Sequence, residues 1–168
     1  MKTIGIAVAL GTMVVLFSGG SSAATTATLT VSVTVRNSCA VSSGGGTLAF
    51  GVYDPVGANT AVSLTQSSGF QIQCSNGTAA AIALSQGSNP SAASTDAAPI
   101  RNLTNGNAKL NYQLYSSAAQ SKVWDNVHSV SQTGSGMPQT VTIYGVISPG
   151  QNVPPGTYTD TVTITVSY

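Results

Sequence analysis

The chain has no glutamate, a single histidine, a single tryptophan and only two cysteines, and charged residues fill just 5% of its 168 positions. Each shortage closes a class of function. Apart from Lys2, the cations are Arg36, Arg101, Lys109 and Lys122, set against Asp54, Asp96, Asp125 and Asp160, so the side-chain charge sums to zero. Nucleic-acid binding neutralises phosphates with clustered Lys and Arg, and four scattered cations make no such patch. The same shortage removes attraction to anionic membrane surfaces.

Catalytic and metal chemistry are equally short of parts. His128 is the sole histidine, no set of suitably spaced partners for a metal site or a general base is found, and it reads as a loop residue, so no metal or cofactor is expected. No two aspartates are placed as an acid and base pair, and Asp160 reads as a turn or strand-entry residue. No Gly-x-Ser-x-Gly elbow occurs, and Gly44-Gly45-Gly46 lacks the Lys and Ser or Thr of a phosphate loop. No catalytic residue is assigned. Trp124, Tyr112 and Tyr115 admit a sugar-binding platform, although such aromatics more often pack into a core or its rim.

What is present begins with an export signal. Lys2 precedes an apolar run from Ile4 to Phe17, and small residues follow from Gly19 to Ala24. That run is too short to span a bilayer and matches the apolar region of a signal peptide. Residues 1–24 are therefore expected to be removed, with cleavage after Ala23 or Ala24 both fitting, and no stable membrane insertion follows. About 145 residues remain, enough for one domain. In an oxidising compartment Cys39 and Cys74 are expected to pair, and closing so long a loop stabilises a fold by about 3 to 4.7 kcal/mol. The near-zero charge would be a solubility hazard for a free monomer and is tolerable in a protein built to assemble.

Hydrophobic period two dominates from Thr28 to Tyr168, which makes the class all-β. Strands are expected at Thr28–Val35, Leu48–Gly51, Ala61–Leu64, Phe70–Cys74, Ala80–Leu84, Leu110–Tyr115, Thr140–Ile147 and Thr157–Tyr168. Turn signals such as Asn76-Gly77, Asn105-Gly106 and Pro154-Pro155-Gly156 punctuate them, as in a sandwich. Gln86–Pro99 and Ser129–Pro138 read as long surface loops. Val162, Ile164, Val166 and Tyr168 share one face of the last strand, which so ends on a residue in core register. Leu29, Val31, Val33 and Val35 repeat that design near the other end, and periodicity alone leaves open which molecule they pair with.

One combination of residues resembles a known family. Cys39 ahead of Phe50-Gly51-Val52-Tyr53-Asp54, Cys74 with Asn76-Gly77, Arg101 ahead of Leu110-Asn111-Tyr112-Gln113-Leu114-Tyr115, and Trp124 occur in order. The tail, Tyr144-Gly145-Val146-Ile147 and then Gly156-Thr157-Tyr158-Thr159-Asp160 running into the final strand, is the most specific part. This pattern resembles the spore-coat-protein-U domain family, which includes the pilins of archaic chaperone-usher pili. Asp125 stands where that pattern has glycine, and Leu103 where methionine is commoner.

The resemblance implies an incomplete immunoglobulin-like β-sandwich over residues 36–168 that lacks its last strand. Residues 25–35 would then be a donor strand, with Leu29, Val31, Val33 and Val35 entering the groove of another copy. Val162, Ile164, Val166 and Tyr168 would form the groove-edge strand. A periplasmic chaperone, an outer-membrane usher and other copies or related pilins are the implied partners, with passage through the periplasm to a surface pilus. A non-pilus spore or surface coat, or a lectin-like secreted module, are the alternatives.

Overall fold

The structure is a computed structural model that describes residues 20, 23–41 and 46–168; most of the expected signal segment, Ile4 to Phe17 included, and Gly44-Gly45 lie outside the described residues. The chain divides into two units, Met1–Thr34 and Val35–Tyr168. Among the described residues no helix occurs.

The larger unit is built from eight strands: β1 (Cys39–Val41), β2 (Leu64–Cys74), β3 (Ala79–Leu84), β4 (Arg101–Asn105), β5 (Ala108–Tyr115), β6 (Val130–Thr133), β7 (Gln139–Ile147) and β8 (Ile164–Ser167). They form a five-stranded sheet in the order β1-β2-β7-β5-β4 and a three-stranded sheet in the order β6-β3-β8. Every pairing is antiparallel. The two sheets share one core, because alternate residues on each strand point to the same side. Phe70 and Ile72 of β2, Leu110, Tyr112 and Leu114 of β5, and Val141, Ile143 and Ile147 of β7 meet Ala80, Ile82 and Leu84 of β3.

The disulfide Cys39–Cys74 joins β1 to β2 at directly opposed positions. Trp124 is fully buried and donates its indole N–H to the Ile82 carbonyl at 3.0 Å, so it packs the core and presents nothing to a ligand. Tyr112 is likewise buried.

Several expected strands differ. Leu48–Gly51 is not a strand: Leu48 and Phe50 turn partly inward and Thr47, Ala49 and Gly51 outward, and Gly51 takes a left-handed backbone with φ 83°. Among the described residues, positions 47–52 make no backbone-to-backbone hydrogen bond. The alternation is that of a strand; what is missing is a neighbour. Ala61–Leu64 is mostly turn, and β2 begins only at Leu64. The last strand shrinks from Thr157–Tyr168 to Ile164–Ser167, preceded by a lone bridge between Thr159 and Thr104. Tyr168 is 59% exposed, so the expected core position at the end of the strand is not filled inward. The stretch expected as a loop, Ser129–Pro138, contains β6, and β1 and β4 lie where no strand is expected. These pieces carry few aliphatics: β1 and β6 lie at sheet edges with outward residues exposed, while β4 buries Arg101 and Asn102 with hydrogen-bond partners supplied by other segments.

Gly145 explains how residues 46–50 lie on the sheet. It occupies an inward position of β7, where a Cβ would stand 2.5 Å from Leu48 Cδ2 and 2.6 Å from Phe50 Cζ. The missing side chain leaves room for those two residues, and Phe50 meets the Tyr112 ring edge-on at 6.2 Å. Gly145→Val should therefore force this segment off the sheet and destabilise the domain by about 1–3 kcal/mol, read as a lower denaturant midpoint. An unchanged midpoint would count against this packing.

Candidate acceptor groove

β8 lies at one end of the three-stranded sheet. Its residues pair with β3 on one side, Ile82 opposite Val166 and Leu84 opposite Ile164. Among the described residues no strand pairs with the other side. A sheet edge of this kind carries a row of unpaired N–H and C=O groups. Beneath it, Val162, Ile164 and Val166 are only half buried although they pack on the core.

Across a gap from this edge lies segment 46–53, which among the described residues belongs to no strand, and the two flank one apolar trough. One cavity of about 150 Å³ lies between Leu48 and Phe50 on one wall and Val162 and Ile164 on the other, with Leu84 and Leu114 also in its lining. A second, of about 670 Å³, continues toward Val52, Tyr53 and Pro55 on one side and Val153 and Tyr158 on the other.

The sandwich is tied together near this open side by polar contacts. Asp160, at the entry to the last strand, accepts hydrogen bonds from Tyr112 OH at 2.7 Å, from the Ser88 N–H at 2.9 Å and from Asn89 Nδ2 at 3.0 Å. This joins β5 of one sheet to the chain entering β8 of the other. Burial, reinforced by the bond to Asp160, pushes the Tyr112 phenol far above its ordinary value, so it remains the donor. Arg101 is fully buried and donates to the carbonyls of Ser85 (2.7 Å) and Trp124 (2.7 Å). Burial lowers its pKa, against the pull of Tyr112, Asp125 and Asp160. With these donors and acceptors already committed to one another, Tyr112, Arg101 and Asp160 act as a structural tie.

His128 sits in a loop, and its Nδ1 lies 2.8 Å from Asp125 Oδ2. Asp125 also accepts from the N–H groups of Val127 and His128. Among the described residues no three His, Cys, Asp or Glu side chains gather into a metal site. Asp125, one of the two departures from the resembled pattern, is thus the partner of the lone histidine.

The four aliphatics at the other end are not packed. Leu29, Val31, Val33 and Val35 are 87, 82, 88 and 83% exposed, and residues 23–38 belong to neither helix nor strand.

A sequence model of the Spore Coat Protein U domain matches residues 25–165. The chain belongs to the spore coat protein U family. This domain is 39% identical to "Protein U" of Myxococcus xanthus over 176 residues, covering 100% of the chain and 98% of the relative. Among solved structures it is similar to the P pilus rod subunit PapA, with a TM-score of 0.57 and 14% identity over 77% of this chain and 98% of that one. It is also similar to a chain of the CsuC–CsuE chaperone–tip adhesion subunit pre-assembly complex from archaic chaperone-usher Csu pili of Acinetobacter baumannii. That match has a TM-score of 0.53 and 20% identity and covers 80% of this chain and 40% of the other. At such identities the likeness is one of fold, the immunoglobulin-like sandwich of pilin subunits.

Asp125 yields a pH prediction for this spore coat protein U domain. Burial works to raise its pKa, but the hydrogen bonds from His128 and Val127 outweigh it, and the folded value lies below the ordinary one. A depressed carboxylate stabilises the fold fully above its unfolded pKa of about 3.9, and that contribution fades as pH falls through the folded value. Below about pH 4, Asp125→Asn should flatten the acid limb of stability against pH, as measured by denaturant titration; identical limbs would refute the assignment.

Proposed function

We propose that this protein is a structural subunit of a secreted surface pilus, assembled by a chaperone-usher route through donor-strand exchange and supporting adhesion. The observation that carries the reading is a pair of complementary defects. Among the described residues, β8 has an edge that no strand pairs over an apolar trough, and Leu29, Val31, Val33 and Val35 form an apolar row that is 82 to 88% exposed. Adding an extended segment to an open sheet edge is an established mode of recognition in chaperone–pilin complexes.

Burying four such side chains is worth about 6 to 12 kcal/mol gross before ordering costs. Backbone bonds to β8 would add affinity, and the alternating side chains would set register. Because donor and groove are different surfaces, the contact is heterologous and need not close, so a filament results. Residues 1–24 would direct export, 25–35 would be the donor, and 36–168 the sandwich. In the periplasm a chaperone would fill the groove, and an outer-membrane usher would be the place of exchange. Groove-edge roles fall to Val162, Ile164 and Val166, which line or flank the trough, more than to the exposed Tyr168. Family membership and the pilin-type fold support this reading. The family's name favours a second one, a coat layer built by the same exchange.

Val31→Arg or Val33→Arg should abolish the ladder of heat-sensitive, SDS-resistant multimers while leaving monomer bound to chaperone, because the charge cannot enter an apolar groove. Undiminished multimers would sink the donor assignment. Electron microscopy of the native assembly separates pilus from coat, by thin filaments against a continuous layer.

A further inference from the structure

The donor segment has almost no slack. Only three residues separate Val35 from Cys39, and all three are bound to the body. The Ser38 N–H donates to Ser75 Oγ at 3.0 Å, Ser75 Oγ reaches the Arg36 carbonyl at 3.5 Å, and Thr78 Oγ1 donates to Asn37 Oδ1 at 3.4 Å. Even fully extended, the four steps from Val35 to Cys39 span at most about 14 Å. A neighbour that receives Val35 must therefore receive the body behind it.

We propose that consecutive copies also touch body to body, with the loop carrying Val52 and Val56 at one copy's groove mouth seated against the disulfide end of the copy that donates the strand. This rests on the strand-exchange reading above and adds a second surface to it.

Direction decides which faces meet. All pairings in the β6-β3-β8 sheet are antiparallel, and an incoming strand that continues the pattern makes the better-aligned hydrogen bonds. It then runs opposite to β8 and leaves where β8 is entered, beside Val162 and Tyr158. That is the mouth formed by Val52 and Pro55. Val52 and Val56 stand there 86 and 87% exposed.

The donating copy offers a matching surface at the root of its strand. Ser38, Ala40, Gln73, Ser75 and Gly136 border a hollow of about 320 Å³, and the adjoining Met137 is 68% exposed. A flexible thioether beside a hollow suits branched aliphatics. Charge agrees: the mouth loop carries Asp54 and the root of the strand carries exposed Arg36, which forms no ion pair among the described residues. In a chain with so few charges, opposite signs at the two ends favour one docking over others.

The test is cross-linking in full-length chains. Val56→Cys and Met137→Cys copies are co-assembled and mildly oxidised, then heated in SDS to dissolve non-covalent multimers. The expected result is a covalent dimer from most of the assembled chains, absent when Val127→Cys replaces Val56→Cys. Assembled multimers without that bond would overturn the inference, and so would a bond between Tyr168→Cys and Met137→Cys, which marks the opposite strand direction. If the native chain forms no multimers at all, strand exchange itself fails. As a second measurement, Val56→Arg, which sets a like charge against Arg36, should keep the multimer ladder but make filaments more flexible by electron microscopy; unchanged stiffness would also overturn the contact.

Discussion

The free edge of β8 governs the rest of the molecule. Among the described residues the three-stranded sheet stops at β8, so no strand meets the backbone donors and acceptors on its free side, directly above side chains that pack on the core. Unpaired edges and half-buried Val and Ile oppose each other: wetting the first also wets the second. Neighbouring parts are arranged around that conflict. The segment 46–53 leans its Leu48 and Phe50 over the side-chain gap at Gly145, covering part of the trough without offering a strand. The Tyr112–Asp160 bond and the Arg101 contacts then hold the sheets at fixed separation, a task that a completing strand would otherwise share.

Much of this was legible beforehand, and the reasons differ by element. β3, β5 and β7 alternate so regularly that their inward faces follow from the residues alone, Leu110, Tyr112 and Leu114 being the clearest case. Edge strands were harder. β6 reads Val-Ser-Gln-Thr and shows no apolar face because half of its surroundings are solvent, whereas β4, Arg-Asn-Leu-Thr-Asn, shows none because its Arg101 and Asn102 are buried polar groups whose carbonyl and hydroxyl partners come from distant loops. Leu48–Gly51 has the opposite fault: its pattern is that of a strand and its hydrogen bonds are not, since pattern reports side-chain environment and says nothing about whether a partner exists.

The groove was legible only as two rows of aliphatics. That Val162 and Ile164 face Leu48 and Phe50 across a cavity depends on how two segments more than a hundred residues apart are brought together, and no local signal encodes it. The Asp160 tie was hidden for the same reason. In sequence it is a lone aspartate after Thr159; in space it receives donors from positions 88, 89 and 112. Arg101, whose place in the family pattern was visible, becomes intelligible once its guanidinium is seen to satisfy carbonyls at the ends of other elements.

Sheet edges in proteins that remain monomeric are commonly blunted by lysine, proline or an inward charge. β8 has none of these. Its outward residues are Thr165 and Ser167, preceded by the exposed Thr163, and residues 161–168 include neither proline nor a charged side chain. Leu29 to Val35 is similarly undefended, with Thr30, Ser32 and Thr34 alternating between the aliphatics. Hydroxyls keep each row soluble yet leave its backbone able to pair, whereas one lysine in either would repel an incoming strand at slight cost to the isolated fold. Two undefended rows in one chain make physical sense when each is the cover for the other's counterpart, and the scarcity of charge elsewhere removes the long-range repulsion that would keep copies apart.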